Sequence, residues 1–373
     1  MIKNSDRHEE SIVPYESLHY VESAPTVSAK LKVALTDFKV EENLAFRPTS
    51  SGEHIFLKVK KINLTTLDVV RKISQITGLK MSAIGYSGMK DKRGECVQWF
   101  SIPLQEKLEN LIASLENDQL MVLTKQLNAR KLKIGSHKEN HFRIKLRDCR
   151  GGKSEFEKRL HRLMERGIPN YFGVQRFGRG MSNIRAMMAI AQEAPNLSDS
   201  KFLRTHQAKP QIKRGILISA ARAYIFNQVL SARLNSGNWT EYVPGDVVNL
   251  DGTDSYFSVA KGQWDEILEE RLNNFDIHIS GPLAGIIAKQ YKYITKSKAA
   301  DIEDVALKKF KPLLKKLSEM NVLASRRPMR FLPENLRWSW IGDNILDLSF
   351  SLRRGSYATS LLREVCLINK MDN

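Results

Sequence analysis

The residue types best suited to chemistry fall in one loop. Asp91 stands among Lys90, Lys92 and Arg93 in the glycine-punctuated run GYSGMKDKRG (85–94). Cations around a carboxylate favour its anion, and glycines let loop backbone approach a ligand closely. Such a group suits attack on a sugar or removal of a proton from it, although a charged surface turn would have the same composition. The loop is no triphosphate cradle, because GxxxxGK[ST] is absent. A second candidate is the alternation over residues 140–147. It predicts a strand with Asn140, Phe142, Ile144 and Leu146 on one face and Arg143, Lys145 and Arg147 on the other. An aromatic ring and an amide side by side can stack on an unstacked base and bond its edge, and core packing with a polar strand end is the competing explanation. The run PNYFGVQRFGRG (169–180) interleaves aromatics, arginines and glycines, as loops that hold RNA do. A domain junction that packs its rings inward would look alike. Ser356-Tyr357 opens the final predicted helix after Arg353 and Arg354, where a helix N-terminus attracts phosphate or Ser356 is a plain cap. HKENH (137–141) mimics a metalloprotease motif, but its acid is one place off and no third ligand accompanies it.

These groups need a scaffold, and the flanking patterns supply one. Residues 1–28 are polar and patternless, the composition of a loose arm. Alternation predicts strands at 31–40 and 52–60, the latter with Ile55, Leu57 and Val59 on one face. Thr65 or Thr66 then caps a helix bearing Leu67, Val70, Ile73 and Ile76, which stops at Gly78. CVQWFSI (96–102) reads as a strand. After Gly151-Gly152 a helix is expected at 154–166, capped by Ser154, and helical signals then dominate to about residue 330, at 184–193, 217–234 and 301–320. Strand character returns at 345–352, before a short helix at 357–367. Strands, then helices, then a strand predict an α+β chain whose middle is inserted in a sheet domain built from both ends.

Composition bounds the partners. The 373 residues are 42% hydrophobic and 27% charged, enough for more than one core. A net charge of +18, with lysines dense over 289–316, calls for a polyanion, with nucleic acid ahead of an anionic membrane. No apolar run reaches the ~18–20 residues of a membrane span, and the first residues lack the apolar stretch of a signal peptide. Three scattered cysteines, Cys96, Cys149 and Cys366, fit a reducing cytoplasm and argue against a disulfide framework or a Cys-based zinc site.

Taken together the segments resemble one family, the TruD-type tRNA pseudouridine synthases. The likeness runs from about Lys32 onward through DFKVEE (37–42), GEHIFLKVKK (52–61), GMKDKRGECVQWF (88–100), ENHFRIKLR (139–147), GIPNYFGVQRFG (167–178), SAARAYIFNQVL (219–230) and GSYATSLLREV (355–365). The resemblance implies a catalytic domain with a largely antiparallel or mixed sheet, residues 1–165 and 332–373, and an inserted, mostly helical domain at 166–331. It implies Asp91 as catalytic carboxylate and Lys32 as the basic residue that supports it. It also implies Phe38, Asn140, Phe142 and Tyr357 as uridine-binding residues, with Phe142 the stacking ring. The expected substrate is uridine 13 in the D-arm of certain tRNAs, and no protein partner is implied. Isomerisation breaks the N1–C1′ bond, turns the uracil and rejoins it through C5. Because no redox change or external group takes part, neither cofactor nor metal is called for. Asp91 would attack C1′ or remove the C2′ proton. Two rivals stand beside this reading. A non-catalytic RNA-binding protein would match the charge but leave Asp91 without a task, and a metal-dependent nuclease would need acidic partners near Asp91. Two departures bear on RNA choice: a loosely echoed segment near 279–290 and a longer N-terminal arm.

Overall fold

The computed structural model describes residues 12–104, 108–192, 210–260, 262–288 and 292–369. They form two compact units. The first joins Pro25–Leu160, Pro333–Ala358 and the chain from Val365; the second joins the chain up to Ala24, His161–Leu332 and Thr359–Glu364. Among the described residues no helix is long and apolar enough to cross a membrane.

The first unit is built on a ten-stranded sheet. Its strands are β1 Ser28–Leu31, β2 Phe38–Leu44, β3 His54–Ile62, β4 Gly85–Tyr86, β5 Glu95–Pro103, β6 Leu120–Asn128, β7 His137–Arg150, β8 Glu334–Ile341, β9 Ile345–Arg353 and β10 Leu367–Asn369. The order is β8-β9-β7-β2-β5-β3-β6, with β1 against β7 and β10, and β4 against β5. β2 runs parallel to β5 and β1 to β10, and the other pairs are antiparallel, so the sheet is mixed. The helix Thr66–Thr77 lies on it because its apolar face matches the inward face of β3. Ile55, Leu57 and Val59 share a core with Val69, Val70 and Ile73. Its ends are set locally. Thr65 and Asp68 form a reciprocal capping box, and Gly78 turns the chain out with a left-handed φ of 72°.

One expected strand is two. The alternation over 31–40 is interrupted between β1 and β2 by Lys32, with φ +59°, and by the 3₁₀ turn Leu35–Asp37. Asp37 closes that turn. Its buried carboxylate accepts Ala34 N–H at 2.7 Å and is clasped by Arg147 through Nε at 2.9 Å and an Nη at 2.8 Å. The apolar stripe Leu31-Val33-Leu35 slips by one place at this turn, to Phe38-Val40, and tertiary contacts hold the break. Burial alone would push Asp37 up, but the Arg147 and Ala34 hydrogen bonds outweigh it and hold it below the usual carboxylate range. A depressed folded-state value adds stability that is present above the unfolded value of ~3.9 and is lost as pH falls through the folded one. Asp37→Asn is therefore expected to flatten the acid limb of a plot of urea midpoint against pH; an unchanged limb would show that the clasp contributes nothing.

The second unit holds the helices Ser182–Gln192 and Pro210–Asn235 packed together, with Ala220, Ala221, Tyr224, Phe226 and Leu230 in its core. It also carries a four-stranded antiparallel sheet, Tyr256–Ser258, Val247–Leu250, Ile277–Leu283 and Ser325–Pro328, which the helical patterns gave no sign of. The helix expected over 301–320 is broken into Ser297–Leu307, a 3₁₀ turn and Lys311–Glu319. Pro312, which has no N–H for the ladder, opens the second piece. The helix expected from Ser154 begins one residue earlier, at Lys153, so Ser154 is inside it. The N-terminal arm is not loose where it is described. Tyr15 and Leu18 are buried, Val21 N–H donates to Glu364 at 2.9 Å, and Arg363 donates to the carbonyls of Leu18 and His19 while stacking over Tyr20 at 3.6 Å.

Candidate active site

Asp91 occupies the loop between β4 and β5, and the fold grips this residue at both ends. Its carboxylate accepts Lys32 Nζ at 2.7 Å, from the left-handed position that interrupts the β1–β2 strand pattern. Its backbone carbonyl accepts Lys61 Nζ at 2.8 Å, and the same ammonium donates to Leu64 O at 2.6 Å. Lys61 is fully buried, which favours its neutral form and pushes its pKa down. The loop is tied further by Lys90 N–H to Thr66 Oγ1 at 2.9 Å, by Thr66 Oγ1 to Gln98 Oε1 at 2.9 Å, and by Gln98 Nε2 to Gly88 O. Gly94 closes the loop at φ +150°, where a Cβ would meet Phe38 O at 2.6 Å. Only glycine allows this approach.

The rings stand beside this carboxylate. Lys32 Nζ lies over Phe38 at 3.9 Å from the ring centre, a cation–π contact. Phe38 meets Phe142 edge-on at 6.2 Å, and Phe142 stacks on Phe350 at 5.4 Å with 21° between planes. Strand register explains the grouping, since Phe38, Val40 and Glu42 alternate on β2 opposite Ile144, Phe142 and Asn140 of β7. Phe142 is 9% exposed. The stacking and core explanations of this ring therefore meet in one residue, which packs on two neighbours and has little surface left.

Asn140 joins through Lys90, whose Nζ donates to Asn140 Oδ1 at 2.6 Å and lies 2.7 Å from buried Glu42 Oε2. Lys90, next to Asp91 in sequence, thus turns to Asn140 and Glu42, while Lys32, 59 residues away, pairs with the Asp91 carboxylate. Burial pushes Glu42 up, and the Lys90 charge opposes the push. Tyr357 is half-buried in the link between β9 and the helix Ala358–Val365, five residues past Leu352, the β9 partner of Asn140. The helix expected from Tyr357 starts at Ala358, and Tyr357 rather than Ser356 immediately precedes it.

Glu42, Lys61 and Gln98 were not among the expected site residues, yet a signal for them exists. Each extends an apolar period-two stripe: Phe38-Val40-Glu42, Ile55-Leu57-Val59-Lys61 and Gln98-Phe100-Ile102. A charge or amide on a buried stripe requires a partner, and here all three serve the Asp91 loop. The three side chains of the metalloprotease mimic have separate partners. His137 pairs with Ser87 at 2.8 Å, Glu139 with Asn43 at 3.2 Å, and His141 with Ser351 at 3.2 Å. Burial first, then the charges of Lys90 and Arg354, push His137 down to about 4. Among the described residues no group of three His, Cys, Asp or Glu could hold a metal. The PNYFGVQRFGRG loop packs rings inward, with Tyr171 and Phe177 buried and the Arg327 guanidinium 4.1 Å from the Phe172 ring centre.

The solved structure of a candidate tRNA pseudouridine synthase D from Methanosarcina mazei is similar over 97% of each chain, with a TM-score of 0.67 and 20% identity. The two chains share an α+β fold. The sequence carries the assignment further. The family model described as tRNA pseudouridine synthase D (TruD) matches residues 15–187 and 179–365. The tRNA pseudouridine synthase D of Proteus mirabilis is 35% identical over 357 residues, 95% of this chain and 97% of that one. Those of Xanthomonas campestris pv. campestris strain B100 and Methylococcus capsulatus are 35% and 34% identical, over 92% and 94% of this chain and the same shares of theirs. The chain belongs to the TruD family of tRNA pseudouridine synthases.

Proposed function

We propose that this chain converts uridine 13 in the D-arm of tRNA to pseudouridine, with Asp91 as the reacting carboxylate and no cofactor. The observation that carries the reading is the double hold on Asp91: Lys32 on its carboxylate at 2.7 Å and Lys61 on its backbone at 2.8 Å. Such a hold fixes where an anion meets a ribose, either at C1′ or at the C2′ proton, and positioning of this kind is a large part of catalysis. Phe38 and Phe142 are the rings that would line the uracil, Asn140 the amide that would bond it, and Tyr357 a further wall. Taking a base out of the stack costs a few kcal/mol, and one aromatic face returns roughly 1–3 kcal/mol. Backbone contacts must add to this. Exposed lysines are available in the second unit at Lys292, Lys296, Lys298, Lys308, Lys309, Lys311 and Lys315, within the segment 166–331 that we assign as the inserted domain.

Incubation of the protein with an unmodified tRNA transcript and a chelator, followed by carbodiimide mapping, is expected to reveal pseudouridine at position 13. A transcript without modification, or modified elsewhere, would contradict the assignment. Affinity for that transcript is expected to fall by roughly 10³-fold or more between 50 and 200 mM salt, as a filter-binding titration would show. Binding insensitive to salt would remove the lysines from the account.

A further inference from the structure

Behind the Asp91 loop a buried acid, an ammonium and an amide form a chain. Glu42 is fully buried, and Lys90 has 7% of its side chain exposed, so the 2.7 Å pair they make is shielded from salt and water. The same Lys90 Nζ donates to Asn140 Oδ1 at 2.6 Å. An ammonium has donors and no acceptor, so the amide must turn its oxygen toward it. Nor can Lys90 drift, because its backbone N–H is fixed on Thr66 Oγ1 at 2.9 Å. Glu42 and Asn140 are register partners across β2 and β7, so both ends of the bridge stand on one rigid sheet. The Asn140 amide is thereby a one-way group: its oxygen is occupied, and the Nδ2 hydrogens are what it offers a ligand.

We infer that Lys90, held by Glu42, is a positioning residue that makes Asn140 a hydrogen-bond donor and so commits the site to a base with a carbonyl, not an amino group, at C4. The inference rests on the reading of Asn140 as a uridine-binding residue. An asparagine free to rotate presents donor or acceptor with equal ease and discriminates poorly. With its oxygen locked, it donates to the C4 carbonyl of uracil and opposes the C4 amino group of cytosine donor to donor; the C2 carbonyl, which the two bases share, would not separate them. Selectivity then comes from a residue that need not touch the base, and adjacency to Asp91 places the selector and the reacting carboxylate on one short stretch of backbone.

The test is a double-mutant cycle in the full chain, read by single-turnover rate on tRNA alongside tRNA affinity and thermal unfolding. Asn140→Ala is expected to slow the wild-type background roughly 10- to 150-fold, the range for one hydrogen bond to a charged or developing-charge partner. In a Glu42→Gln/Lys90→Met background, which removes the buried pair together, the same substitution is expected to cost less than about threefold, because the amide there has already lost its orientation. Equal losses in both backgrounds would overturn the inference alone. Asn140→Asp supplies an arm independent of the double variant: its carboxylate keeps the Lys90 contact but has no donor. Folded Asn140→Asp protein that binds tRNA normally and turns over as slowly as Asn140→Ala is expected, and a near-wild-type rate would overturn the inference. A wild-type rate for Asn140→Ala itself would overturn the base-binding reading beneath it as well.

Discussion

Phe142→Ala is expected to lose about 3–5 kcal/mol of stability and, with it, most turnover. The ring is 9% exposed and lies between Phe350, stacked at 5.4 Å, and Phe38, edge-on at 6.2 Å. Its removal leaves a hollow that the sheet cannot close, because β2 and β9 are both hydrogen-bonded to β7. Phe38 would then lose its neighbour, and Lys32, resting on the Phe38 ring at 3.9 Å, would lose part of what aims it at Asp91. Phe142→Leu separates packing from stacking. It keeps most of the volume, at a cost below about 1.5 kcal/mol, but has no π face. Chemical unfolding and single-turnover rates on both variants provide the check. A stable, slow leucine variant is expected, and a stable leucine variant with wild-type turnover would make Phe142 a packing residue only.

Much of this site was legible where local chemistry decides the structure. The helix Thr66–Thr77 announces its own start and stop through Thr65, Asp68 and Gly78. The alternation in β7 correctly aligns Asn140 with Phe142, although the strand extends to His137–Arg150. What escaped was decided at a distance. Alternation runs on past Lys32 through Val33 and Leu35, and only its slip of phase at Asp37 marks the turn; the Asp37–Arg147 clasp, 110 residues apart in sequence, holds the chain there. Lys90 flanks Asp91 in sequence yet turns to Glu42 and Asn140. The buried Lys61 and Glu42 could have been found by asking why a charge continues an apolar stripe. The second unit's strands were hidden because three to seven residues give too short a period to stand out among helical patterns. The catalytic roles proposed for Asp91 and Lys32 rest on the family resemblance, since no composition or spacing distinguishes a reacting aspartate from one in a charged turn.

The largest effect on catalysis is expected at Asp91, and it separates an enzyme from an RNA binder. Asp91→Asn keeps the size of the side chain and leaves the Lys61 hold on the backbone carbonyl untouched. The lost pair with Lys32 is partly exposed, 18% and 30% for the two side chains, so its removal costs about 1 kcal/mol or less. Removing one negative charge should leave tRNA affinity equal or slightly tighter. An amide can neither attack C1′ nor accept the C2′ proton, so either route stops. The decisive measurement is tritium release from tRNA labelled at uracil C5, run on Asp91→Asn protein whose circular dichroism and tRNA binding match the wild type. No release above background is expected. Release at the wild-type rate from that folded, tRNA-binding variant would contradict a catalytic role for Asp91.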